Sequence, residues 1–184
     1  MFVQPTNYLS VHETERMLLR PATMDDAEAW SRFHLDPIAT QYYPDSAKGG
    51  IEVARQWLTR LLDRYRARTF GFLCLIDKES GHYLGQCGLL TQEVEGEMLL
   101  EVGYALLRDA WGKGYATEAA QWFRNYAFEK ELSDTVVSLI HPENVPSQRV
   151  AARNGMTRGR LAHWREIDVY IYSIARTAWV HTYQ

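Results

Sequence analysis

An apolar run over residues 98–107 passes through Arg108-Asp-Ala-Trp-Gly-Lys-Gly114 straight into a stretch, 115–128, whose Ala116, Ala119, Ala120, Phe123 and Ala127 share one helical face. A strand must therefore hand over to a helix across a turn that holds two glycines. Gly112 and Gly114 let the main chain curl without interference from a Cβ. The first amides of the following helix have no intrahelical partner and lie at the positive end of its dipole. The segment from Trp111 to Thr117 thus reads as a cradle of bare N–H groups suited to phosphate or another anion.

The remaining elements follow from periodicity and turn composition. Residues 16–21 read as a strand, Thr23 with Asp25 and Asp26 as a helix start, and Ala27, Trp30 and Phe33 fall at helical spacing. Ile51, Ala54, Leu58, Leu61, Leu62 and Tyr65 form the stripe of a second helix, with Arg55, Arg60, Arg64 and Arg66 largely off it. The Arg55 to Arg68 series reads as a solvated face, one that would also suit approach to an RNA-rich partner such as a ribosome. Strands at 70–76 and 83–91 form a hairpin, 98–107 continues it, and 135–140, 157–162 and 168–175 complete the strands around a helix at 145–154. The expected order is β-α-α-β-β-β-α-β-α-β-β in a single domain, 1–184, with its core at about 14–179 and extensions at the termini.

Composition narrows the function classes. The chain has 184 residues, 46% of them hydrophobic, enough for one substantial core. A net charge of −3 gives no field for gathering nucleic acid, so no specific nucleic-acid binding is expected, and basic or neutral substrates are the easier match. Cys74 and Cys87 each stand alone in apolar runs, with neither disulfide nor zinc spacing. With no signal-like start, no membrane-length apolar run and no metal constellation, the sequence suggests a cytoplasmic, metal-free protein without membrane partners. A P-loop is ruled out because Lys113 is not followed by Ser or Thr, and a dinucleotide fingerprint because the third glycine is missing.

Gly112-Lys-Gly-Tyr-Ala116, Glu101-Val-Gly-Tyr104 and Asn144-Val-Pro-Ser-Gln-Arg-Val-Ala-Ala-Arg-Asn-Gly155, in this order of elements, resemble the Gcn5-related N-acetyltransferase (GNAT) superfamily. Within it, the branch of ribosomal-protein N-terminal (RimJ/RimL-like) acetyltransferases is most similar. The resemblance implies an α+β fold: a strongly twisted mixed sheet of about seven strands with four helices, splayed into a V between the fourth and fifth strands, where acetyl-coenzyme A lies. It implies that the pantetheine arm pairs with backbone around Ala105, Leu106 and Leu107. The pyrophosphate would rest on the amides of Trp111, Gly112, Lys113, Gly114, Tyr115, Ala116 and Thr117, with Asn144 touching the coenzyme arm.

The implied activity is transfer of acetyl from acetyl-coenzyme A to a primary amine by direct attack in a ternary complex. A protein N-terminal α-amine, such as that of a ribosomal protein, is the first acceptor class. A small amine (polyamine, antibiotic or amino acid) and a non-catalytic acyl-coenzyme A sensor are the alternatives, and a homodimer is compatible with the resemblance. Trp111 stands where the wider superfamily has Gln or Arg, as is common in this branch. Ala151 stands where many members place the tyrosine that protonates the departing thiolate.

The residues themselves supply other candidates. Ser147 is either that proton donor or simply the third residue of a helix capped by Asn144, with Pro146 in its first turn and Gly155 beyond its end. Glu101, in an apolar strand, is either a buried base with a raised pKa or a residue facing solvent. Gly103 signals a bulge or a close approach, and an amide near Val102 could face an oxyanion. Lys113 contributes its backbone amide more than its charge. His34, Tyr42, Tyr43, His163, Trp164, Tyr170 and Tyr172 are candidates for the acceptor wall, while His141 reads as a structural loop residue.

Overall fold

The computed structural model describes residues 4–180. Residues 1–3 and 181–184 of the expected domain lie outside the described residues. The chain runs β1 (His12–Glu13), β2 (Met17–Arg20), α1 (Ala27–Leu35), α2 (Ile51–Arg66), β3 (Phe72–Asp77), β4 (Tyr83–Val94), β5 (Glu97–Leu106), α3 (Tyr115–Glu129), β6 (Thr135–Ile140), α4 (Val145–Arg153), β7 (Thr157–Trp164), β8 (Ile167–Ala175) and α5 (Arg176–Val180). The expected order holds, with β1 added before it and α5 after it. Two residues and one turn of helix are too short to leave a periodic signal.

The strands form one sheet in the order β1-β2-β3-β4-β5-β6-β8-β7. Every neighbouring pair is antiparallel except β5 and β6, which run parallel and meet at Glu101↔Val137. Beyond that point the two strands separate. The splay expected between the fourth and fifth strands is this β5/β6 gap, one number higher because β1 precedes them.

Side chains alternate across the sheet, as the pleat requires. Leu73 and Leu75 pack with Ala119, Ala120 and Phe123 of α3, whereas Phe72 and Cys74 pack with Trp30 of α1 and Leu58 of α2. Trp30 is fully buried and stacks on Phe33 at 4.6 Å. Burying such side chains is worth roughly 1.5–3 kcal/mol each. The amino-terminal segment is more than an extension: Tyr8 is fully buried, its hydroxyl donating to Gly71 O at 2.6 Å and accepting from Leu89 N at 2.9 Å. Both cysteines are free and buried, and burial pushes the Cys74 thiol up to about 12. No helix among the described residues is long and apolar enough to cross a membrane.

Candidate active site

After β5 the chain makes a short turn, Arg108–Ala110, and reaches α3 through Gly112 and Gly114, whose φ values are 74° and 86°. Both lie in the left-handed region that favours glycine. The first bond of α3 is donated by Glu118 N to Gly114 O at 3.0 Å, so the amides of Tyr115, Ala116 and Thr117 precede the helical ladder. The outer side of this turn is bolted to the start of the chain. Glu118 accepts from Thr14 Oγ1 at 2.6 Å, from Arg16 N at 2.9 Å and from Arg16 Nε at 2.6 Å, while Arg16 Nη1 donates to Lys113 O at 2.8 Å. Tyr115 lies under the same guanidinium and donates to Asp77 Oδ2 at 2.7 Å.

A cavity of about 380 Å3 opens on the inner side of the turn. Ala105, Leu106, Trp111, Gly112, Gly114, Tyr115, Ala116, Thr117 and Asn144 line it, as expected of coenzyme-contacting residues. Leu107 and Lys113 do not. Leu107 donates to Leu84 O and accepts from Ala110 N, each at 2.9 Å, so both of its backbone polar groups are engaged within the fold. Because backbone direction alternates, Ala105 also turns its polar groups toward β4, opposite Gln86. The edge facing the gap is presented by Tyr104 and Leu106, and the Leu106 carbonyl already accepts from Trp111 Nε1 at 2.9 Å. The Val102 carbonyl on the same edge accepts from Ser138 Oγ at 2.7 Å, and Tyr104 is the next residue whose amide faces the gap.

α4 begins beside this edge. Asn144 Oδ1 accepts from Ser147 N at 3.1 Å, the capping arrangement expected, and Gly155 follows the helix with φ 77°. Tyr104 donates its hydroxyl proton to Ser147 O at 3.0 Å, fixing the first turn of α4 against β5. Burial pushes the Tyr104 phenol upward, so it stays protonated. Ala151 is buried in the core against α3 and offers no acid.

A second cavity, of about 310 Å3, lies on the other side of Ser147. Tyr42, Tyr43, Tyr104, Asn144 and Ser147 line both cavities and so form the junction. Glu101 lines the second one. It is 8% exposed, which removes the solvent-facing alternative, and it accepts from Gln92 Nε2 at 2.7 Å. Burial pushes its pKa up, while Gln92, the Leu139 amide and the fields of Arg165 and Arg64 pull it partly back. Gly103 makes a close approach and no bulge: β4 and β5 stay in register, and a Cβ there would sit 2.9 Å from the Phe72 ring.

Of the aromatic candidates, Tyr42, Tyr43 and Trp164 reach the second cavity, and His141 joins them, stacked on Tyr42 at 5.1 Å. His34 is instead buried, with Nδ1 against Ala47 O at 2.6 Å, and His163 pairs with Asp168 at the surface at 3.0 Å. Tyr170 and Tyr172 pack in the core. Sequence reasoning gave no site role to Tyr104, Gln92 or Arg165, and it assigned Arg60 and Arg64 to a solvated or RNA-facing series where they instead line this cavity. Gln92 stands between Thr91 and Glu93, a polar stretch of β4 that leaves no sign of an inward-facing amide.

Residues 16–157 match the protein family described as Acetyltransferase (GNAT) domain. An uncharacterized N-acetyltransferase, p20 of Bacillus licheniformis, is 30% identical over 169 residues, 89% of this chain and 94% of that protein. The crystal structure of an acetyltransferase from Agrobacterium tumefaciens str. C58 superposes with a TM-score of 0.75 at 29% identity, covering 95% of this chain and 96% of the other. RimL, a ribosomal L7/L12 alpha-N-protein acetyltransferase solved with coenzyme A, shares the fold with a TM-score of 0.74 at 16% identity, over 90% of this chain and 98% of RimL.

Proposed function

The chain belongs to the acetyltransferase (GNAT) family and is an N-acetyltransferase, and from that premise we propose that it acetylates a protein N-terminal α-amine by direct attack in a ternary complex. The observation that carries the reading is the meeting of two cavities at Tyr43, Tyr104, Asn144 and Ser147. One cavity suits a phosphate-bearing cosubstrate and the other an acceptor. Acetyl-coenzyme A supplies an already activated acyl carbon, so much of the acceleration comes from holding amine and carbonyl together.

The glycine turn and first turn of α3 fit the pyrophosphate, because their amides converge without a Cβ between them. Arg149 and Arg153, one turn apart on α4, line the same cavity and add positive charge for the anionic end of the coenzyme. The Leu106 carbonyl and Tyr104 amide face the gap where the pantetheine amides would run. Glu101 takes the proton that an attacking ammonium must lose, directly or through water, and the rise in its pKa on burial makes it a stronger base than an exposed glutamate. Ser147 holds the proton for the departing thiolate, oriented by the Asn144 cap and the Tyr104 hydroxyl.

The protein α-amine is supported by the branch resemblance and by the named activity of RimL. Free thiols buried in the core suit a reducing, cytoplasmic setting. A small amine is the second reading, favoured by the 310 Å3 acceptor cavity, near the lower end of the size range for small-molecule sites. Thiol release from acetyl-coenzyme A, measured with peptide N-termini and small amines in competition, tests both. The proposal expects peptides to be consumed first, and release with no amine would overturn it.

A further inference from the structure

The acceptor cavity carries an excess of positive charge that the overall composition hides. Arg60, Arg64 and Arg165 line it, and Glu101 is the only carboxylate among its lining residues. None of the three arginines makes an ion pair among the described residues, whereas others do. On the same helix, Arg55 pairs with Glu52 and Arg66 with Asp63, each at 2.6 Å. Elsewhere Arg16, Arg20, Arg32 and Arg108 each face a carboxylate. Asp63, one turn on from Arg60, is already taken by Arg66.

Two of the three guanidinium groups are held in place, Arg64 with donors to spare. Arg64 Nε donates to Phe70 O at 3.0 Å and Nη2 to Thr91 O at 3.3 Å, which leaves its Nη1 donors without a partner among the described residues. Arg165 sits at the β7–β8 turn with φ 55° and its guanidinium 4.4 Å from the centre of the Trp164 ring. Arg60 and Arg64 lie four residues apart on α2, a like-charge spacing that opposes the helix. Burial and then the nearby Arg165 disfavour the charge on Arg64, and the field of Glu101 offsets them only in part. Arg64 is half-buried, with Arg60 and Arg165 exposed beside it, and this gathering of like charge without ion-pair partners becomes more favourable when an anion enters.

We propose that the acceptor of this enzyme carries, beside the amine that is acetylated, a carboxylate or other anionic group held by Arg60, Arg64 and Arg165. This inference rests on reading the second cavity as the acceptor side. It reverses the expectation that a chain of net charge −3 takes basic or neutral substrates, because the local charge around the amine, and not the sum over the surface, selects the ligand. Two sources share the chemistry: a peptide whose acidic residue follows its free N-terminus, and a free amino acid.

Each source is tested with charge twins: hexapeptides with Glu, Gln or Lys after the first residue, and an amino acid beside its carboxamide. In at least one arm the anionic twin should exceed its neutral twin by about tenfold in kcat/KM, chiefly through KM, and the preference should shrink with added salt. Arg60→Gln and Arg165→Gln, at exposed positions, should each bring that ratio to within about threefold of unity. Arg64→Gln risks the fold, since its guanidinium ties two backbone carbonyls. A purely structural role would lower both twins together and leave the ratio intact. Equal or inverted preference in both arms, or a ratio unchanged in the two variants, overturns the proposal. If no amine releases thiol, the transferase reading fails separately, and calorimetric binding of the same twins to the coenzyme A complex still decides whether the arginines select an anion.

Discussion

The two cavities meet at the same side chains but are built of different material. The first cavity is lined by six of the seven consecutive residues 111–117, which offer backbone amides and the absence of two Cβ atoms to the proposed coenzyme. The acceptor side is a wall of side chains drawn from α2, β4, β5, β6 and the β7–β8 turn. A backbone cradle tolerates most changes that keep its φ values, whereas a side-chain wall can be rewired one residue at a time. One scaffold can therefore keep a fixed donor and exchange acceptors.

The sharpest test of that division is Glu101→Gln. Removing a general base should lower kcat/KM by about 100- to 1000-fold while leaving coenzyme affinity within about twofold. Wild-type activity should rise with pH as Glu101 ionises, above the ordinary glutamate value because burial raises it, and the variant should lose that limb. Ser147→Ala comes next, with kcat down about 100-fold at unchanged coenzyme affinity. Tyr43 also faces both cavities, so Tyr43→Phe is its control: a larger loss there than at Ser147 would move the acid to the tyrosine.

Gly114→Val probes the other region. A side chain at φ 86° costs about 1–2 kcal/mol, and a turn that relaxes out of the binding conformation to escape this loses coenzyme affinity by roughly 5- to 30-fold. Its Cβ would also sit 3.2 Å from Arg16 Nη2, loosening the bolt behind the cradle. With coenzyme saturating, acceptor KM should stay within about threefold of wild type. Coenzyme binding of wild-type strength, followed by titration calorimetry, would show that the amides are not the phosphate site.

The same division explains what could be read from sequence. Strand, glycine turn and helix are adjacent in the chain, so periodicity and two glycines were enough to locate the turn that lines the first cavity. Asn144, Pro146 and Gly155 marked α4 by local rules as well. The Arg16–Glu118 bolt joins residues 102 apart, and the Tyr104–Ser147 bond spans 43, so neither leaves a local pattern. Arg60 and Arg64 looked like members of a solvated series because the apolar stripe defines only one face of α2. Which polar face meets water and which meets a cavity is fixed by β5, β6 and Trp164, far along the chain. Which residue near Leu107 faces the gap turns on a single step of alternation: Leu107 donates toward β4, and Leu106 faces the gap.

The smallest expected effects are also the most discriminating, because two glutamates should respond with opposite sign. Burial raises the Glu101 pKa, so the folded protein binds more protons than the unfolded chain between the ordinary glutamate value and the raised one. Its contribution is therefore present at low pH and lost as pH climbs through the native pKa. Glu118 is the reverse. Burial pulls its pKa up, but hydrogen bonds from Thr14 and from the backbone and side chain of Arg16 outweigh it and hold the carboxyl below its ordinary value. Its stabilisation is present above the ordinary value and lost as pH falls through the depressed one. At neutral pH, Glu101→Gln should raise the melting temperature and Glu118→Gln should lower it, each by about 2–4 °C for about 1 kcal/mol in a chain of this size. Near pH 3 the Glu101 difference should vanish and the Glu118 difference should shrink. Melting curves of both variants across that range check the signs, and a fall in stability on neutralising Glu101 would mean that its charge is satisfied and the acceptor cavity is not the strained region.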